Sequence, residues 1–148
     1  MISRASRDDV AAIVPLFDAY RGFFTNGRRD DASRRFLEDR FSNGDSVIFV
    51  ARTGEDVVGF IQLYPLWSSW HCRRIWFLSD LYVTEAARKR GLGRRLVKRA
   101  IEYARATHAA SIMVELPRRE PHLTDFYAQL GFRLDEVFEL ARLSLPSE

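Results

Sequence analysis

The sequence predicts a mixed α/β (α+β) fold, a central and mostly antiparallel sheet with helices packed on it and one parallel strand–helix–strand crossover. Three observations point there. Apolar residues recur at helical spacing over residues 92–107, between β-branched and aromatic runs at 74–83 and 111–116; such a unit closes as a right-handed parallel crossover. The run 47–51 is joined to 57–64 by Thr53, Gly54, Glu55 and Asp56, a turn that makes the two strands a hairpin. Two helical stretches precede that hairpin, so helices and antiparallel strands share one core.

In order along the chain, Asp8 or Asp9 caps a first helix over residues 9–20, with Val10, Ile13, Val14, Leu16 and Phe17 on one side. Gly22, Asn26 and Gly27 break it, and a charge-rich second helix follows over 30–41, ending near Asn43 and Gly44. After the hairpin, residues 65–72 read as a loop rich in aromatics. In the third helix Leu92, Leu96, Val97, Ala100, Ile101 and Ala104 turn inward. Pro117 stops the next strand, and Pro121 opens a short helix in the first-turn place that suits proline. Gly131 follows Leu130 as a C-terminal glycine should. Residues 132–134 and 137–145 are expected to complete the sheet. With no repeat, low-complexity tract or linker, a single domain over residues 1–148 is expected.

No run of about 18 apolar residues exists, which argues against a spanning helix. The first residues hold no apolar signal core, and the one cysteine, Cys72, has no internal partner. A cytoplasmic protein is therefore expected. Charge is more telling. Lys and Arg number 23 against 20 acids, and seven of the basic residues fall within positions 88–99, where no acid occurs. Without those seven the rest is 16 against 20, or −4. The basicity is one local patch on a mildly acidic body. That argues against a nucleic-acid surface, which spreads its charge over several elements, and for a small polyanion.

The patch has a shape to match. A strand ends near Val83, a basic loop carries Gly91 and Gly93, and a helix begins at Leu92. Main-chain N–H groups at a helix N-terminus lack intrahelical partners, and the dipole adds about half a positive charge there. Glycine lets a phosphate approach the main chain.

The run Arg88-Lys89-Arg90-Gly91-Leu92-Gly93 resembles the (Arg/Gln)-x-x-Gly-x-(Gly/Ala) acetyl-CoA signature of the GNAT N-acetyltransferases, and it follows a strand reading Asp80-Leu81-Tyr82-Val83. Asp125-Phe126-Tyr127 with Gly131-Phe132 resembles that family's later Phe-Tyr-x-x-x-Gly-Phe element. Tyr20-Arg21-Gly22-Phe23-Phe24 together with the Asp80 strand is similar to the branch holding fungal histone and polyamine acetyltransferases. The resemblance implies a sheet of about seven strands, acetyl-CoA as donor, an amine acceptor, no metal, and a homodimer.

It further implies that main-chain groups of Arg88, Lys89, Arg90, Gly91, Leu92, Gly93 and Arg94 hold the CoA pyrophosphate. Leu81, Tyr82 and Val83 would line the pantetheine arm, Leu81 and Val83 through backbone groups. Alternation turns Asp80 and Tyr82 to the opposite face. A protonated alkyl amine is no nucleophile, so a proton acceptor is required; Asp80 is the candidate, directly or through water. The residues alone leave open that Asp80 is instead tied to a backbone N–H or an arginine. Relatives often carry glutamate where this chain has Ser79, and asparagine where it has Glu120. Tyr127 matches the family tyrosine that gives a proton to the departing thiolate, and a phenol can do so. Tyr20, Phe24, Trp67 and Trp70 suit a cationic amine or an apolar acceptor body. The acidic body and the aromatics favour a small-molecule amine over protein lysine. The alternative is a non-catalytic acyl-CoA-binding or regulatory module.

Overall fold

A computed structural model describes residues 1–25 and 31–146. The expected break at Asn26 and Gly27 and the helix start at Asp30 lie outside them, whereas Gly22, expected to share in that break, is helical. The chain divides into two compact units, Met1–Glu115 and Leu116–Glu148.

The first unit contains β1 (Ile2–Arg4), α1 (Val10–Thr25), α2 (Ala32–Asn43), β2 (Val47–Thr53), β3 (Asp56–Ser68), β4 (Arg73–Val83), α3 (Leu92–Ala106) and β5 (Ser111–Val114). The strands lie side by side in chain order. β1 to β4 are antiparallel, and β5 runs parallel to β4, which is the expected crossover through α3. Alternation along β2 assigns the faces. Ile48 and Val50 join Val10, Ile13, Phe17 and Leu37 of the first two helices in one cluster, whereas Phe49 meets the ring of Tyr103 on α3 at 5.5 Å. On that second face α3 sits close to the sheet: a Cβ added at Gly59 would lie 3.3 Å from Leu96 Cδ1 and 3.2 Å from the Tyr82 carbonyl oxygen.

Three expectations are corrected. Ile2–Arg4 is a strand that the sequence reading missed; Met1 donates its N-terminus to the Arg52 carbonyl at 3.1 Å, and the strand adds to β2. Residues 65–68 belong to β3 and not to a loop. Proline fits there because β2 pairs with β3 only as far as Leu63, so Pro65 lies where that edge is open and needs no N–H. The sheet has five strands, not about seven, since none of the described residues after Val114 forms a strand.

In the second unit α4 spans Pro121–Ala128, with Pro121 in the first turn as expected. Gly131 at φ +99° and the Phe132 N–H to Tyr127 carbonyl bond of 3.1 Å turn the chain out of the helix. Residues 132–134 and 137–145 are not strands. Leu134, Val137, Phe138, Leu140, Leu143 and Leu145 stay exposed. Their apolar side chains fall on both faces of an extended chain, and without a ladder for the main-chain groups no register is set.

Candidate active site

The phosphate-loop residues come together around the start of α3. Gly91 is the residue before the helix and adopts φ +76°, and the Arg95 N–H reaches the Gly91 carbonyl at 3.0 Å. That is the first intrahelical bond, so the N–H groups of Leu92, Gly93 and Arg94 precede any helical acceptor. Lys89 is also left-handed, at φ +65°. Left-handed residues alternating with ordinary ones turn successive N–H groups into one concavity, which binds anions. Leu92 is buried and anchors the turn, while Lys89, Arg90 and Arg94 are exposed around it. These features fit a pyrophosphate: free N–H groups, a glycine with open space at its Cβ position, and surrounding cations.

The strand leading into the loop has one open edge. β5 pairs with β4 only from Ile75 to Leu78, while β3 pairs with it as far as Val83. The Thr84 N–H donates to Val58 at 2.8 Å, on the β3 side. Alternation then directs the backbone groups of Leu81 and Val83 to the other, unpaired edge and those of Tyr82 toward β3. The Val83 carbonyl is met there by Arg88 Nε at 2.9 Å, with the guanidinium 5.5 Å from the Tyr82 ring centre.

One residue further back the ladder is interrupted. Gln62 opposes Asp80 and Leu63 opposes Leu78, so Ser79 is an extra residue in β4. Its carbonyl accepts the Tyr20 hydroxyl at 2.9 Å, and its own hydroxyl donates to Asp80 Oδ1 at 3.0 Å. Asp80 is only 5% exposed, and its Oδ2 has no hydrogen-bond partner among the described residues. Burial pushes the carboxyl up to about 6, against the opposing pull of the Ser79 hydroxyl and of the nearby Tyr20 hydroxyl. Among the described residues no arginine pairs with it.

Two neighbours of Asp80 were outside the sequence-based site. Gln62 is fully buried, gives its Nε2 to Ser46 Oγ at 3.1 Å, and leaves Oε1 without a partner among the described residues. The signal for it was a lone amide inside an apolar strand run. Tyr64 is held well above the usual phenol range by burial, with the Asp80 charge adding to it.

Of the four aromatic acceptor candidates the structure gathers two. Tyr20 and Phe24 lie ring to ring at 5.2 Å, and Tyr20 bonds beside Asp80. Phe23 joins them, 6.4 Å from Tyr82. Trp67 and Trp70 are elsewhere. Trp67 pairs with Arg74, six residues and roughly 20 Å along β4 from Asp80, and Trp70 lies in the turn beyond. They are 71% and 72% exposed. Residues 65–72 were expected to form a loop flanking the acceptor cleft, whereas 65–68 continue β3 and carry Trp67 and the turn with Trp70 to the far end of the hairpin.

Tyr127 belongs to the second unit. It is 4% exposed, edge-on to Phe126 at 5.0 Å and to Phe132 at 5.3 Å. Burial holds its phenol protonated well above the ordinary range. Glu120 lies 3.4 Å from His122 Nδ1.

The loop, the open strand edge and the bulge lie within the part of the chain, residues 13–132, that matches the acetyltransferase (GNAT) family. The chain belongs to that family. An uncharacterized N-acetyltransferase of Bacillus subtilis, YhfO, is 35% identical over 99% of both chains. The crystal structure of a probable acetyltransferase superposes with a TM-score of 0.90 at 34% identity, covering 99% of each chain. A D-amino-acid N-acetyltransferase of Saccharomyces cerevisiae is 36% identical over 102 residues, 66% of this chain and 62% of its own length. N-acetyl transfer is the activity these GNAT relatives support.

Proposed function

We propose that this GNAT protein transfers an acetyl group from acetyl-CoA to a primary amine by direct attack, acting on a small-molecule amine in preference to protein lysine. The observation carrying this is the buried Asp80, with a partnerless Oδ2, next to a strand whose following residues turn main-chain groups to an open edge. A carboxyl of pKa about 6 is roughly nine-tenths ionised at neutral pH and can take the ammonium proton.

The residues divide the work. Main-chain N–H groups from Arg88 to Arg94 would hold the donor's pyrophosphate, and Leu81 and Val83 its amide-bearing arm, once Arg88 leaves the Val83 carbonyl. Bound there, acetyl-CoA supplies the acyl carbon as an activated thioester. Tyr20, Phe24 and Tyr82 face the amine with ring surfaces, which suit a cation or an apolar body. Asp80 Oδ2 receives the proton lost by nitrogen. The family resemblance gives Tyr127 the role of proton donor to the leaving sulfur, and burial keeps its own phenol protonated. The similarity to a yeast enzyme of D-amino acids supports the small amine and the proposed fungal branch. The reading extends to a homodimer in the cytoplasm.

A panel of amines with acetyl-CoA, read by free thiol release, tests it. Turnover of at least one small amine, lost in Asp80→Asn, is the expected result. Saturable CoA binding with no acceptor turned over would favour the non-catalytic acyl-CoA module instead. Absence of CoA binding would end both.

A further inference from the structure

We infer that the protein carries a second anion site, for a small organic oxyanion, in a cavity lined by Arg4, Arg40 and Arg74 at the end of the sheet remote from the phosphate loop. The cavity has a volume of about 330 Å3, with Trp76, Tyr103 and Thr107 among its walls. Arg74 is six residues, ~20 Å, along β4 from Asp80. Arg74 therefore stands well away from Asp80, although Ser46 on the cavity wall accepts from Gln62, the strand partner of Asp80, and the inference does not depend on the acetyl-transfer proposal.

The cations are held in place by rings. The Arg4 guanidinium lies 5.3 Å from the Tyr103 ring centre, and Arg74 lies 5.1 Å from Trp76 and 4.7 Å from Trp67. Tyr103 and Trp76 are themselves 5.3 Å apart, so the order is arginine, ring, ring, arginine. Trp76 is fixed in turn by its indole N–H to Thr107 Oγ1 at 2.9 Å. A guanidinium stacked on a ring keeps its N–H edge free for the two-pronged contact that carboxylate and phosphate accept.

The charge balance favours an anion. Arg40 is taken by Asp45, Nε to Oδ1 at 2.7 Å. Among the described residues neither Arg4 nor Arg74 has a carboxylate partner. The C-terminal ends of α2 and α3 face this region, each worth about −0.5. Three arginines, one aspartate and two helix ends leave about one positive charge uncompensated. A volume of about 330 Å3 is at the small end of ligand pockets, ~300–1,000 Å3. It admits a small carboxylate or phosphate ester with an apolar or aromatic body and excludes a dinucleotide-sized molecule.

Titration calorimetry with phenyl phosphate and with benzoate tests the site, and the tighter of the two identifies the oxyanion. The Trp76 indole N–H resonance, assigned by Trp76→Phe, reports occupancy. Saturable binding is expected to shift that resonance, to weaken at least about tenfold in Arg74→Gln, and to persist in Arg94→Gln at the phosphate loop. Arg4→Gln, on an exposed edge strand, gives the same reading if Arg74→Gln does not fold. Loss in Arg94→Gln with no change in the Arg4 and Arg74 variants would assign all anion binding to the loop and overturn the inference. So would the absence of saturable binding by either probe.

Discussion

Replacing Asp80 by asparagine should make the protein more stable as it makes the enzyme slower, and the size of the first effect follows from the burial of one carboxyl. In the folded chain Asp80 releases its proton near pH 6 instead of at the ordinary 3.8 of an exposed aspartate. Between those two values the folded state binds more protons than the unfolded state, so stability falls as pH rises through the window and is flat above it. Each pH unit of that window is worth about 1.4 kcal/mol, so the ionised carboxylate costs roughly 2–3 kcal/mol at neutral pH. Asparagine keeps the oxygen that accepts from Ser79 and removes the charge. Asp80→Asn should therefore match the wild type near pH 4 and exceed it by about 2–3 kcal/mol above pH 6.5. Urea unfolding at pH 4.5, 5.5, 6.5 and 7.5 measures this. An unpartnered amide N–H in the variant would cost about 1–3 kcal/mol, but equally at every pH. The pH slope of the difference is thus the decisive quantity, and a flat difference would refute the reasoning. Acetyl transfer should fall by about 10²–10⁴ in the variant.

Tyr127→Phe should lower kcat by about ten- to a hundredfold while the Kd for CoA stays put, checked by steady-state rates on a confirmed amine and by calorimetry. Gly91→Ala meets no neighbour but forces φ +76° on a residue with a Cβ, so a loss of about 1–2 kcal/mol in stability and weaker CoA binding are expected from melting and titration. Gly59→Ala brings a Cβ to 3.2 Å of the Tyr82 carbonyl oxygen, which the ladder holds in place, and should destabilise by about 1–3 kcal/mol in thermal melts. Trp70→Ala should change the acceptor KM less than twofold, because Trp70 lies at the far end of the β3–β4 hairpin; a KM rise of tenfold or more would return that hairpin to the acceptor site.

The parts of the fold that could be read in advance are those with a strong local period or an obligatory residue. The stripe from Leu92 to Ala104 gave α3 to within a residue of its ends, and Thr53 to Asp56 gave the hairpin turn. Ile2–Arg4 is too short for any pattern and exists only because β2 offers an edge. The tail shows the converse: residues 137–145 are rich in apolar residues and lie exposed, since apolar composition does not supply a ladder. In the candidate site, the left-handed turn at Gly91 was legible through its glycine, while the same geometry at Lys89 had no chemical signature. Asp80 could be assigned to a face by alternation. That it is buried, near pKa 6 and next to an extra residue depends on the register between β3 and β4, which a single strand does not encode.

That bulge is what links the two halves of the proposed chemistry. In a regular ladder the main-chain groups of Ser79 would be absorbed into strand pairing. Here its carbonyl is free to anchor Tyr20 of α1 and its hydroxyl to hold Asp80 Oδ1, so the other carboxylate oxygen is left buried and without a partner. Immediately after the bulge, regular alternation resumes, and it sends Asp80 and Tyr82 side chains to the α1 face while the backbone groups of Leu81 and Val83 reach the unpaired edge. The proposed proton acceptor for the amine and the proposed main-chain template for the donor thus occupy consecutive residues, on different sides of one strand. Serine at position 79 is compatible with this division because the carboxylate comes from the next residue. A glutamate there would put a second carboxyl beside Asp80, and two such groups could not both ionise without raising one another's pKa.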